Sequence, residues 1–189
     1  MGGDIGGSIR APASNNGVYG FKPTCKRIPW QGMHAMLQGK DHVYATMGPI
    51  CSSRETIHLC MKVILDSQPW RTDPALFPKF WTPETFDHPL KLGIMWSDGV
   101  VKPHPPLIRA MQEVASACKA AGIKLVDWEP LDHDKAWDIV SGLYFIDGGE
   151  EYMRLIADSG EPVLPLTDWI IKEQPEARAR SYKEQVQVR

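Results

Sequence analysis

The feature that most constrains the fold is a succession of strand, helix and strand between residues 90 and 128. Leu90-Lys91-Leu92-Gly93-Ile94-Met95-Trp96 and Ile123-Lys124-Leu125-Val126-Asp127-Trp128 read as strands. Between them Leu107, Ala110, Met111, Val114 and Cys118 recur at the spacing of one helical face. Pro105 and Pro106 suit the first turn of that helix, where a missing N–H is no loss, and Gly122 can take the left-handed conformation that ends it. A β-α-β unit with parallel strands and a right-handed crossover follows, which places the chain in the α/β class.

Around this unit the pattern is less regular. Residues 1–50 are rich in Gly and Pro and read as loop and strand, with Val18-Tyr19-Gly20-Phe21 a short buried strand. Ser52 and Glu55 have the spacing of a capping box, in which each side chain satisfies the other residue's free N–H, so a helix starts there. Ile57, Cys60, Met61, Ile64 and Leu65 form its apolar stripe. Residues 68–89 hold Pro69, Pro74, Pro78, Pro83 and Pro89 with Trp70, Phe77, Phe80, Trp81 and Phe86, a long connection pinned by aromatics. Residues 131–189 read as helical, over 134–146, 150–157 and 168–172, and the end from Glu176 as a solvated or frayed helix.

Composition excludes several classes of function. With 21 basic against 23 acidic residues and a pI near 6.3, the chain has no basic excess to track phosphates or an anionic membrane. No apolar run approaches the 18 or more residues of a spanning helix. Cys25, Cys51, Cys60 and Cys118 show no Cys-x-x-Cys or metal-finger spacing, so we expect reduced, buried thiols in a cytoplasmic protein. His34, His42, His58, His88 and His104 lack the His-x-x-x-His spacing that places two ligands on one helical face, and no metal site or cofactor is expected.

The chemistry concentrates in Gly2-Gly3-Asp4-Ile5-Gly6-Gly7-Ser8-Ile9-Arg10. A glycine-rich turn can aim consecutive N–H groups at one point and so stabilise the oxyanion formed when a nucleophile attacks a carbonyl, with Ser8 as that nucleophile. The same residues also suit a turn that merely reverses the chain or holds an anion, and at this level both readings stand. Gly39-Lys40 is followed by Asp41, where a phosphate loop needs Ser or Thr, and the Ser8 context lacks the second glycine of Gly-x-Ser-x-Gly. Other polar groups read as structural: Asp132 or Asp134 as a helix cap, Glu150-Glu151 as a solvated face and Cys25 as packing. Trp70, Trp81, Trp96 and Trp128 read as loop anchors before pocket walls.

Asp4 to Ala13, followed by Gly17, Gly20, Lys22-Pro23-Thr24 and Arg27-Ile28-Pro29, resembles the second half of the amidase signature. Gly48-Pro49-Ile50 and the stretch from Trp96 to Pro106 are similar to further segments of that family, and Lys26-Arg27 is most like its fungal acetamidase-type branch. The resemblance implies part of a mixed sheet flanked by helices, with residues 1–189 one partial domain that is incomplete at its N-terminus. It also implies an amidohydrolase that splits a linear carboxylic amide into an acid and ammonia or an amine through a Ser, cis-Ser, Lys triad. By that resemblance Ser8 is the nucleophile, the amides of Ile5, Gly6, Gly7 and Ser8 form the oxyanion hole, and Asp4 and Arg10 support the loop. Gly3 stands where the family usually has Thr or Ser. The family's Lys and cis-Ser precede this motif, so we expect the 189-residue chain alone to be inactive, with exposed apolar surface that favours self-association. The alternative is a non-catalytic truncated or degenerate copy that acts only as a partial fold or an interaction module.

Overall fold

The computed structural model describes residues 1–33, 40, 42–82 and 84–187, so His34, Gly39, Asp41 and Pro83 lie outside the described residues. The chain divides into two units, Met1–Pro83 with Glu150–Pro162, and Glu84–Gly149 with Val163–Arg189.

In the first unit Gly2–Asp4 (β1), Arg10–Asn15 (α1), Tyr19–Gly20 (β2), Thr46–Gly48 (β3), Ile50–Cys51 (β4) and Arg54–Asp66 (α2) follow one another. β1 pairs antiparallel with β3, Gly2 opposite Gly48 and Asp4 opposite Thr46, and β2 pairs antiparallel with β4. The strand expected at Val18–Phe21 is therefore present, but it is not buried: Tyr19 is 48% exposed, because a two-stranded ribbon covers only one of its faces. Gly48 lies where the chain passes beneath Phe21, and a Cβ there would come within 2.1 Å of the Phe21 carbonyl oxygen.

Helix α2 begins where expected, but through a different cap. Ser53, in extended conformation, accepts from the Thr56 N–H at 3.1 Å, one residue beyond the Ser52 and Glu55 pairing read from the sequence. Replacing Ser53 with alanine is expected to cost about 1 kcal/mol of stability and replacing Ser52 close to nothing. Urea midpoints of the two variants decide between the caps. The stripe reading holds: Met61 and Leu65 are buried and form a cluster with Ile28, against which Phe21, Met47, Ile57, Ile64, Trp70 and Trp81 pack. The connection after α2 is pinned by aromatics as expected, with Trp70 edge-on to Phe80 and Trp81 edge-on to Phe21. Arg27 Nη2 donates to the Lys79 carbonyl at 2.9 Å and holds the same segment. The helix Glu150–Ser159 also belongs to this unit.

In the second unit Lys91–Ile94 (β5), Pro105–Ala120 (α3), Lys124–Asp127 (β6) and His133–Tyr144 (α4) are followed by the helix Pro165–Asp168, a π turn over Trp169–Glu173 and a helix Tyr182–Gln187. β5 and β6 are parallel, Lys91 opposite Lys124 and Ile94 opposite Asp127, so the order strand, helix, parallel strand is as expected. The cap expected at Gly122 is present: the Gly122 and Ile123 N–H groups donate to the carbonyls of Lys119 and Cys118. The packed face of α3 is rotated from the one expected. Ile108, Met111, Ala115 and Cys118 are drawn in, whereas Leu107 and Val114 are 58% and 62% exposed. Two strands offer too narrow a surface to cover both stripes. Buried Arg180 donates to the Gly142 carbonyl at 2.9 Å and pairs with Glu176, fastening the C-terminal segment to α4. The four cysteines are free and half-buried, where the sequence reading had them buried. No helix among the described residues is long and apolar enough to cross a membrane.

Candidate active site

The turn that follows β1 is organised by one carboxylate. Asp4 is buried, and its Oδ1 accepts from the Gly7 N–H at 2.8 Å while Oδ2 accepts from the Ile9 N–H at 3.1 Å and the Arg10 N–H at 3.4 Å. Arg10 closes the group from outside with a two-pronged contact, Nε to Oδ2 and Nη2 to Oδ1, both at 3.0 Å. The Arg10 guanidinium holds the Asp4 carboxyl well below the usual carboxylate range. Burial opposes that shift, and the three backbone N–H groups reinforce it. Because Ile9 at the start of α1 has no capping side chain, Asp4 does the work of a cap from five residues upstream.

This anchoring forces the turn into its shape. Gly7 has φ +128°, a conformation that L side chains rarely adopt, and its carbonyl accepts from the Ala11 N–H at 2.8 Å. Ile9 is fully buried and fixes the far side. Between these two fixed points Ser8 is exposed, and its hydroxyl has no hydrogen-bond partner among the described residues. The N–H groups of Gly6 and Ser8 likewise have no acceptor among the described residues, whereas the Gly7 N–H is taken by Asp4. Ile5 is half-buried at the exit of β1. The arrangement therefore offers a hydroxyl and uncommitted N–H donors within one rigid turn, and no base reaches Ser8 among the described residues.

One neighbour escaped the sequence reading. The Trp30 indole lies over Gly3: a Cβ at that glycine would stand 3.3 Å from Cη2 of the ring. The departure of Gly3 from Thr or Ser was the available signal, and the volume vacated at residue 3 is occupied by residue 30.

The remaining candidates stay apart from the turn. Asp132 sits at the N-cap position of α4 in left-handed conformation, but its carboxylate pairs with Lys135 at 2.6 Å and does not cap. A left-handed cap residue aims its side chain away from the free N–H groups. His133 Nδ1 lies 3.2 Å from the Leu131 carbonyl oxygen. Among the described residues no group of three or more His, Cys, Asp and Glu could hold a metal ion. Trp70 and Trp81 are loop anchors, as read, and the Trp96 indole donates to Asp127 at 3.0 Å, joining the ends of β5 and β6.

Comparison with known proteins gives a consistent result. The family model described as "Amidase" matches residues 1–189. The chain is 44% identical over 174 residues to "Putative amidase C550.07" of Schizosaccharomyces pombe, covering 92% of this chain and 33% of that protein. It is 36% identical over 173 residues to an acetamidase of Emericella nidulans, covering 87% of this chain and 32% of that protein. Among solved structures it is similar to a fatty acid amide hydrolase, with a TM-score of 0.92 at 33% identity over 99% of this chain and 33% of the other. The chain thus spans about a third of the length of the relatives it matches.

Proposed function

This chain belongs to the amidase family, and on that premise we propose that it carries the nucleophile and oxyanion donors of an amidohydrolase acting on linear carboxylic amides. The observation that carries the reading is the Asp4-anchored turn, which leaves the Ser8 hydroxyl exposed beside N–H groups without acceptors. Ser8 Oγ attacks the amide carbonyl carbon and gives up its proton to a base, and the carbonyl oxygen becomes an oxyanion. Of the four amides that the family resemblance assigns to it, Gly7's is engaged by Asp4, so Ile5, Gly6 and Ser8 are the proposed donors. The C–N bond then breaks, the base returns its proton to the departing ammonia or amine, and water hydrolyses the acyl ester to regenerate Ser8.

The base is the missing part. Among the described residues no base stands in hydrogen-bond reach of Ser8, and a serine hydroxyl without one is a weak nucleophile at neutral pH, so the 189-residue chain by itself is expected not to turn over amides. In the amidase family a Lys acting through a cis-Ser does this work, and we assign those roles to sequence outside residues 1–189. The small-molecule amide is then the substrate partner, with self-association through exposed side chains such as Leu131 and Leu166 when the chain stands alone. Four free thiols favour a reducing, cytoplasmic setting.

A fluorophosphonate probe tests the assignment. The part of the chain that aligns with the Emericella nidulans acetamidase is grafted in place of the matching third of that protein, and the graft is compared with the 189-residue chain. In the graft one serine is expected to label, located by peptide mass at Ser8. In the isolated chain labelling is expected to be no faster than in its Ser8→Ala form. Labelling of the graft at another serine overturns the nucleophile assignment, and Ser8-dependent labelling of the isolated chain overturns the need for an outside base.

A further inference from the structure

Trp81 closes the aromatic connection onto α2. Its Nε1–H donates to His58 Nδ1 at 3.1 Å, and the two rings meet edge to face with centroids 5.5 Å apart. An indole nitrogen can only donate, so Nδ1 is the bare nitrogen and His58 is the neutral ring protonated at Nε2. Trp81 also rests edge-on against Phe21 at 5.9 Å, and both rings pack on the cluster of Ile28, Met61 and Leu65. Phe21 is in turn tied to the nucleophile-bearing ribbon: its N–H donates to the Pro49 carbonyl, and its own carbonyl lies directly over Gly48, which pairs with Gly2.

We propose that His58 and Trp81 form a pH-sensitive latch, which holds the connection at residues 77–82 on α2 while His58 is neutral and releases Trp81 when the ring takes a second proton. An imidazolium carries N–H at both nitrogens, so it meets the indole N–H donor to donor and the bond cannot persist. The charged groups around the latch do not replace it. Glu55 precedes His58 by one turn, and its carboxyl is held low chiefly by its own N–H and the Ser53 hydroxyl. Arg54 lies 3.7 Å from Glu55, Lys62 one turn later is tied to Asp66, and Lys79 stands two residues before Trp81. None of these supplies an acceptor to the indole.

The 15N-labelled chain tests this between pH 8 and pH 5, the interval in which imidazoles change charge. The Trp81 indole N–H resonance is identified by its loss in Trp81→Phe and, independently, by its Overhauser contact with the His58 ring. In the wild-type chain that resonance is expected to move along a one-proton curve. The ratio of latched to released chain should fall by about fivefold, the bias that one net hydrogen bond supplies. In His58→Gln, whose side-chain carbonyl accepts but does not titrate, the resonance is expected to stay in place. A wild-type resonance that does not move, or one that moves equally in His58→Gln, overturns the latch.

Discussion

In the grafted amidase, Ser8→Ala is expected to lower kcat by at least about ten-thousand-fold and leave KM within about threefold. In the proposed mechanism the removed hydroxyl forms the bond to the acyl carbon, so its loss would abolish the acyl-enzyme route and not the binding of the amide. A ten-thousand-fold loss corresponds to about 5.4 kcal/mol of barrier. What remains is the slower attack of water on an amide held against the N–H groups of Ile5, Gly6 and Ser8, all of which survive the change because they are backbone. Steady-state kinetics on acetamide, a longer aliphatic amide and an aryl amide check the prediction. An equal rise in KM with kcat unchanged would assign Ser8 to binding. A loss below about tenfold would remove it from the mechanism.

The same turn shows how much of the candidate site was legible. Ser8 and the glycines around it were visible as residue types, because a turn of this composition has few uses and its neighbours to Ala13 resemble one family. The part played by Asp4 was not visible as geometry. A lone aspartate before a glycine-rich turn is compatible with many arrangements, and here its function consists of accepting from three N–H groups and one guanidinium that only the folded turn brings together. The same limit applies to the engagement of Gly7 and to the seating of Trp30 on Gly3.

For the fold, periodicity carried more than local side-chain chemistry. The stripe of α2 and the β-α-β unit were read correctly because a spacing repeated over several turns averages out single-residue ambiguity. Caps depend on one residue each, and adjacent candidates compete. Ser52 and Ser53 both precede α2, and the extended backbone of Ser53 decides between them. The converse case is Ser181, whose N–H donates to Glu184 at 2.9 Å while its hydroxyl accepts from the Glu184 N–H. That is a capping box with the Ser-x-x-Glu spacing in plain view, within a segment read as solvated or frayed. It pulls the Glu184 carboxyl down to about 2, chiefly through the Ser181 N–H and hydroxyl and then through Arg178. On α3 two apolar stripes were available, and tertiary packing chose the one containing Ala115.

Replacing Asp4 with alanine is expected to destabilise the first unit by about 3 kcal/mol at pH 7, since it leaves the buried Ile9 N–H without an acceptor and Arg10 without its partner. Arg10 is 56% exposed on its side chain and returns to water at small cost, so most of the loss comes from the backbone donors. The pH dependence follows from the direction of the Asp4 shift. Its carboxyl is held lower in the folded chain than in the unfolded one, where it lies near about 3.9. The unfolded chain therefore takes up a proton first as the pH falls. The stabilisation is fully present above that unfolded value and drains away below it, toward the folded value. The gap between wild type and Asp4→Ala, measured by urea unfolding at pH 7, 5, 4 and 3, is expected to be the same at pH 7 and pH 5 and to narrow below pH 4. A gap that stays constant down to pH 3 would mean that the carboxylate's charge contributes nothing and that Asp4 acts by shape alone. In the graft the same variant should slow fluorophosphonate labelling of Ser8 by more than its unfolded fraction explains. A turn freed from its anchor would no longer aim the Gly6 and Ser8 N–H groups at the point where the proposed oxyanion forms.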